Sequence, residues 1–238
     1  MRRPVLIVIA LGLLSATIAA TEPARVIDHY RALTERLERE GLPRLSAQGM
    51  VSTAEPHATV AGVAALRAGG TAVDAAVAAA FALAVTYPNA GNLGGGGFLL
   101  HVPATGGRPA VFDFRETAPA AASRTMYLDA AGRYIPDSST EGFRAAGVPG
   151  TVRGLHAAWR HAGRLPWAAL LEPAIALAAE GFPVSADLAR RLAAEAARLA
   201  THPATTAIFF RDGRPLHEGE HLVQRDLATT LRRLATGG

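Results

Sequence analysis

The sequence predicts an α+β fold in which helices outnumber strands. About six segments carry a helical pattern, whereas two or three short apolar runs have the pattern of β-strands. One helical segment, residues 71–86, is apolar on nearly every side, and such a helix belongs in an inner layer, packed on a sheet or on another helix. At 238 residues, half of them hydrophobic, the chain is long enough for one sizeable domain or a large piece of a bigger one.

The N-terminus has the layout of a secretory signal. Arg2 and Arg3 precede an apolar run from Val5 to Leu14, and small residues follow it. Residues 1–20 are therefore predicted to be a signal peptide, with an uncleaved membrane anchor as the alternative, although the run is short for a spanning helix. Either interpretation implies export, so we expect a periplasmic or secreted protein without a stable membrane partner.

Residues 21–48 are predicted to form an amphipathic helix and a linker. Apolar residues recur at steps of three and four between Arg25 and Glu40, and Gly41 and Pro43 end the pattern. The few apolar positions favour docking on the body of the protein over a coiled-coil partner.

The rest of the chain, residues 49–238, is predicted to combine a β-hairpin with helices. Thr71, followed three residues later by Asp74, has the spacing of a helix-capping pair, and Gly106-Gly107 marks the turn of the hairpin. The predicted helices cover residues 58–68, 71–86, 151–162, 167–179, 185–199 and 224–235, and the predicted strands cover residues 98–102 and 110–114.

Composition excludes several classes of function. All 24 basic residues are Arg and the net charge is only +4, with no basic patch of the kind that nucleic-acid-binding proteins show. The absence of Cys excludes disulfides and thiolate chemistry. The His residues lack the spacing of a metal site, and no G-x-S-x-G motif occurs. We therefore expect no nucleic-acid partner, no metal and no cofactor.

A glycine cluster and an arginine motif stand out between residues 89 and 119. Four consecutive glycines, Gly94 to Gly97, lead directly into a β-type run, which predicts a backbone that needs a close approach or a positive φ. Direct substrate contact is the alternative, and the missing Lys-Ser/Thr ending argues against a phosphate-binding loop. After the hairpin comes Arg115, between Asp113 and Glu116. From the residues alone, a structural ion pair with one of these carboxylates is the favoured role of Arg115, and binding of an anionic substrate group is the alternative.

With these residues in place, the chain resembles the γ-glutamyltransferase family, also called glutathione hydrolases, which are N-terminal nucleophile hydrolases. The likeness runs from about residue 49 to about residue 234. The five motifs that carry it, in the family's order, are Gly49-Met50-Val51, Gly69 to Val77, Ala90 to Phe98, Asp113 to Pro119 and Gly147 to Val152. The resemblance implies an αββα sandwich, represented here by its helix-rich N-terminal portion as part of the large subunit.

The resemblance also implies an activity and two partners. The family transfers γ-glutamyl groups of glutathione or related amides to water or amino acids, and its arginine at the position of Arg115 binds the substrate α-carboxylate. The expected partners are a γ-glutamyl small molecule and the small subunit of the same precursor. The alternatives are an acylase of the same fold that acts on other amides or on poly-γ-glutamate, and a non-catalytic periplasmic partner subunit.

The family's nucleophile is a threonine that chain cleavage exposes at the start of the small subunit, where its free amine serves as the base. Neither Thr205-Thr206 nor Thr229-Thr230 is followed by the His of the family's Thr-Thr-His motif, so both pairs are predicted to be structural. We therefore expect this chain to end within the large subunit, to hold no catalytic residue and to be inactive alone.

Overall fold

A computed structural model describes residues 49–104 and 106–237. The predicted signal peptide and the predicted amphipathic helix with its linker lie outside these residues. The helices are α1 (Pro56–Arg67), α2 (Ala72–Thr86), α3 (Thr151–Ala162), α4 (Trp167–Glu180), α5 (Ala186–Ala194), α6 (Ala196–Leu199), α7 (Pro203–Phe209) and α8 (Arg225–Gly237). The strands are β1 (Phe98–His101), β2 (Ala110–Asp113), β3 (Phe182–Pro183), β4 (Phe210–Arg211), β5 (Arg214–Pro215) and β6 (His221–Leu222).

Helix α2 lies at the centre of the described core, as its apolar sequence predicts. It packs against α1, α3 and α4, and the ring of its buried Phe81 meets Trp167 of α4 edge-on, with centroids 5.4 Å apart. The predicted capping pair is present at its start. Thr71 caps the helix, and the fully buried Asp74 accepts hydrogen bonds from the backbone nitrogens of Thr71 (2.7 Å) and Arg164 (2.9 Å). This carboxylate therefore ties the start of α2 to the loop between α3 and α4.

Helix α8 is held to the core by two polar side chains. The buried Gln224, just before α8, donates from Nε2 to the carbonyl of Val85 at the end of α2 (2.8 Å). Trp167 donates from Nε1 to the carbonyl of Leu234 (2.9 Å), so α4 and α8 lie against each other.

The predicted hairpin is present, and helices cover one of its faces. Strands β1 and β2 pair antiparallel, from Phe98 opposite Asp113 to His101 opposite Ala110. The inner face contacts α3, where the rings of Phe112 and His161 are 5.5 Å apart. The side chains of the outer face are exposed; they are Phe98, Leu100, Val102 and Val111.

The second half of the chain differs from the prediction in three places, the first of which is the unpredicted two-residue strand β3. The helix predicted over residues 185–199 is interrupted at Glu195, which has φ −101° and ψ 7° and separates α5 from α6. The Ala- and Leu-rich pattern continues across the break, so periodicity gives no sign of it. Between residues 201 and 224 the structure adds α7 and the two-residue strands β4, β5 and β6, which are too short to show an alternating pattern. No helix of the described ranges is long and apolar enough to span a bilayer.

Candidate functional site

Arg115 lies two residues beyond the end of β2, at the edge of the exposed outer face of the hairpin. Its side chain is 67% exposed. The guanidinium carbon is 6.0 Å from the ring centroid of Phe98, within the range of a cation–π contact. Within the described part of the chain, Nη1 and Nη2 of Arg115 make no hydrogen bond, and the shortest ion-pair contact of the guanidinium is made by Nε. The forked end of the guanidinium is therefore available to a ligand.

The two neighbouring carboxylates do not occupy that fork. Asp113 accepts a hydrogen bond from the backbone nitrogen of Arg115 (3.1 Å), and Glu116 Oε2 lies 3.7 Å from Arg115 Nε. An exposed ion pair of this length contributes little, about 0–1 kcal/mol. The structural ion pair that the sequence leaves open is thus a loose one, with a shortest distance of 3.7 Å.

The glycine cluster packs directly against the backbone that carries Arg115. A Cβ atom on Gly96 would lie 2.5 Å from the carbonyl oxygen of Phe114, 2.7 Å from the nitrogen of Glu116 and 2.8 Å from Cα of Arg115. The next residue of the cluster, Gly97, accepts a hydrogen bond from the nitrogen of Phe114 (3.0 Å). The predicted close approach is present, whereas the alternative reason, a positive φ, is wrong for Gly94 to Gly97. At position 96, glycine is required because two backbone segments touch, and not because of the torsion angle.

A second set of glycines packs against the same segment. A Cβ atom on Gly150 would overlap the carbonyl of Phe114, and one on Gly154 would overlap the Phe114 ring. A Cβ atom on Gly147 would lie 2.8 Å from Cβ of Glu116. In the sequence, Gly147 and Gly150 stand out only as part of a family motif. The spacing of glycines at 147, 150 and 154 is the signal that could have indicated their role, because it leaves room for a neighbouring chain segment at the start of α3.

The threonine and histidine candidates have ordinary structural surroundings. The hydroxyls of Thr206 and Thr230 donate to carbonyls of the preceding turn, at 2.9 Å and 3.0 Å. His217 and His221 are exposed and flank a turn, and His221 Nε2 lies 2.7 Å from the carbonyl oxygen of Glu180. In residues 49–104 and 106–237, no three His, Asp or Glu side chains gather where a metal ion could be held.

Comparisons with known proteins place the chain in one family. The sequence profile described as gamma-glutamyltranspeptidase matches residues 58–238. The glutathione hydrolase proenzyme of Escherichia coli is 44% identical over 197 residues, which are 82% of this chain and 34% of that protein. The acylase ACY 1 proenzyme of a Pseudomonas species is 40% identical over 206 residues, or 84% of this chain and 37% of that protein. The chain thus spans about a third of the length of the curated relatives it matches.

The fold has a close counterpart among solved structures. The gamma-glutamyltranspeptidase of Helicobacter pylori superposes with a TM-score of 0.80 at 40% identity, over 82% of this chain and 56% of that one. The structure therefore has an α+β fold of the N-terminal nucleophile hydrolase class, and its described residues form the helix-rich part of the αββα sandwich, as predicted. Within that class, the chain belongs to the gamma-glutamyltranspeptidase family, the family that its sequence motifs indicate under the name γ-glutamyltransferase.

Proposed function

We propose that this chain supplies the large-subunit part of a γ-glutamyltransferase, or glutathione hydrolase, in which Arg115 binds the α-carboxylate of the γ-glutamyl substrate. The observation that carries the proposal is the exposed guanidinium of Arg115, whose Nη1 and Nη2 make no hydrogen bond within the described residues. A guanidinium fork matches a carboxylate with two parallel hydrogen bonds and does not lose its charge. Gly96 and Gly150 pack closely against the backbone that carries Arg115, and this packing fixes the point from which the guanidinium extends.

The reaction itself needs groups from the rest of the precursor. In the proposed enzyme, the hydroxyl of a threonine exposed by chain cleavage attacks the γ-amide, the amine leaves, and water or an amino acid resolves the acyl-enzyme. Arg115 contributes by orienting the donor and leaves the chemical step to the threonine. The relatives' designation as proenzymes supports a small subunit as the partner. The signal-like residues 1–20 support a periplasmic or secreted location.

Substitution of Arg115 by Lys tests the assignment. The variant is made in the precursor that contains this chain, and the processed enzyme is assayed with γ-glutamyl 4-nitroanilide. Lys keeps the charge but loses the planar fork, and a charge-assisted hydrogen bond contributes about 1.5–3 kcal/mol. We therefore expect the KM of Arg115→Lys to rise by about 10- to 100-fold, with kcat much less affected.

Two controls make this result specific. Arg124→Lys changes an exposed arginine of the following loop in the same way and should leave KM unchanged. A donor that lacks the α-carboxylate, 4-aminobutanoyl 4-nitroanilide, should be turned over with the same kcat/KM by the wild type and by Arg115→Lys. An unchanged KM for the γ-glutamyl donor in Arg115→Lys would exclude Arg115 as the carboxylate-binding residue.

The second candidate function is an acylase that acts on other amides. The similarity to the ACY 1 proenzyme favours it, since that relative is 40% identical over 84% of this chain. Glutaryl 4-nitroanilide, which keeps the carboxylate but lacks the α-amino group, separates the two functions. A γ-glutamyltransferase is expected to have the higher kcat/KM for the γ-glutamyl donor, and an acylase the higher kcat/KM for the glutaryl donor.

A further inference from the structure

The two glycine segments that enclose Arg115 are joined by a pair of side chains, Asn92 and Thr151. Asn92 Oδ1 accepts a hydrogen bond from the nitrogen of Gly95 (3.0 Å) and another from the hydroxyl of Thr151 (2.5 Å). Thr151 is the first residue of α3 and is buried, while Asn92 is half-buried. Their contact spans 59 positions of the sequence.

The backbone continues the same connection. The carbonyl of Gly95 accepts hydrogen bonds from the nitrogens of Gly150 (2.8 Å) and Thr151 (3.1 Å). Helix α3 begins without a side-chain cap, so the Gly95 carbonyl satisfies nitrogens that would otherwise lack a partner at the helix start. Asn92 and Thr151 therefore set how the glycine cluster meets the start of α3.

The backbone that carries Arg115 packs against both segments that this connection joins. Gly96, next to Gly95, approaches Cα of Arg115 and the carbonyl of Phe114, and Gly150, just before α3, approaches the same carbonyl. A change in the spacing between Gly95 and Thr151 moves one or both of these segments. Both contacts are between backbone atoms, so a movement of either segment cannot be relieved by the rotation of a side chain. It displaces the backbone at Phe114 and Arg115 instead.

We propose that Asn92 and Thr151 are positioning residues for Arg115, which act by holding Gly95 to the start of α3. The inference rests on the proposed function of Arg115 as the carboxylate-binding residue. Neither residue touches the substrate in this proposal. Their effect appears in binding of the α-carboxylate, and hence in KM, because an interaction made equally in the ground state and the transition state does not change kcat.

Kinetics of the processed enzyme test the proposal. Asn92→Ala is expected to raise the KM for γ-glutamyl 4-nitroanilide about tenfold, in keeping with the coupling of contacting groups, and to change kcat less than about twofold. Thr151→Val, which has a similar volume but no hydroxyl, should raise KM in the same direction, and Thr151→Ser should restore it. Asn89→Ala removes an exposed amide three residues earlier and should leave KM unchanged.

Comparison with Arg115→Gln distinguishes positioning from a general structural role. If Asn92 acts through Arg115, Asn92→Ala adds no further rise in KM when Arg115 is already Gln, and it leaves kcat/KM for 4-aminobutanoyl 4-nitroanilide unchanged. An equal rise in both backgrounds, or an equal loss with the donor that lacks the carboxylate, overturns the inference. If Arg115→Gln itself leaves KM unchanged, the proposed function fails instead. Where Asn92→Ala prevents processing, the Thr151→Val and Thr151→Ser pair decides the question by the same criteria.

Discussion

Two alanine substitutions in the same run of glycines test how firmly the backbone of Arg115 is enclosed. In Gly96→Ala the new Cβ would lie 2.5 Å from the carbonyl oxygen of Phe114 and 2.8 Å from Cα of Arg115. Ordinary contact begins at 3.4 Å, so these atoms must move apart by about 0.9 Å and 0.6 Å. In Gly94→Ala the Cβ meets nothing within 4 Å, and the φ of Gly94 is not positive.

The geometry sets the expected magnitudes. Overpacking of this kind costs about 1–3 kcal/mol, which lowers the melting temperature of a domain of this size by roughly 2–12 °C. A displacement of about 1 Å in a substrate-orienting group reduces kcat/KM by up to about 100-fold. We therefore expect Gly96→Ala to lower both the melting temperature and kcat/KM for γ-glutamyl 4-nitroanilide, with a 10- to 100-fold loss in the latter.

The matched variant makes the result interpretable. Gly94→Ala should keep kcat/KM within about twofold and should keep or slightly raise the melting temperature, because alanine restricts the unfolded chain. Both variants are measured as the processed enzyme by thermal unfolding and by steady-state kinetics. Equal behaviour of Gly96→Ala and Gly94→Ala in both measurements would refute the claim that the glycine cluster encloses the Arg115 backbone.

Two further predictions concern stability. Asp74→Ala removes a buried hydrogen-bond acceptor and leaves the backbone nitrogen of Arg164 without its partner. The free energy of unfolding, measured by urea denaturation, should fall by about 3 kcal/mol. A loss below about 0.5 kcal/mol would contradict the role of Asp74 in tying α2 to the loop after α3. The Arg214 guanidinium, together with a backbone nitrogen, lowers the pKa of Glu220 from 4.5 to about 2. The ionised Glu220 therefore contributes fully to the free energy of unfolding above pH 4.5, and this contribution is lost as the pH falls towards 2. Glu220→Gln should flatten the profile of melting temperature against pH in this range. Parallel profiles of the variant and the wild type would contradict the prediction.

Local patterns in the sequence predict much of the fold. The capping pair Thr71 and Asp74 is present as predicted, and α2 is buried because its apolar residues cover nearly every side. The hairpin turns where Gly106 and Gly107 adopt positive φ values of 82° and 119°. These features depend on neighbours within one helical turn or one hairpin, and such neighbours are visible in the sequence. The break at Glu195 was not visible, since the side-chain pattern continues across it.

The candidate site, like the fold, has some features that the sequence predicts and others that it leaves open. The position of Arg115 beside two carboxylates and after a glycine cluster is a property of the sequence, and family motifs give it an expected role. The sequence leaves open whether Asp113 or Glu116 occupies the guanidinium, and the structure shows that Asp113 bonds the backbone nitrogen instead. The sequence also leaves open why the glycines are needed. The contacts of Gly96 with the Arg115 backbone identify close packing as the reason.

Residue patterns alone predict the family, the α+β class, the buried helix α2 and the arginine that the proposed function requires. The way in which that arginine is held depends on contacts that no residue pattern reveals. Gly96 and Gly150 lie more than fifty positions apart and both pack against the carbonyl of Phe114, and Asn92 reaches Thr151 across a similar separation. The pattern of residues within a segment indicates which local conformation that segment prefers. The enclosure of Arg115 depends on the distance between segments that are remote in sequence, and that distance is set by the packing of the whole core.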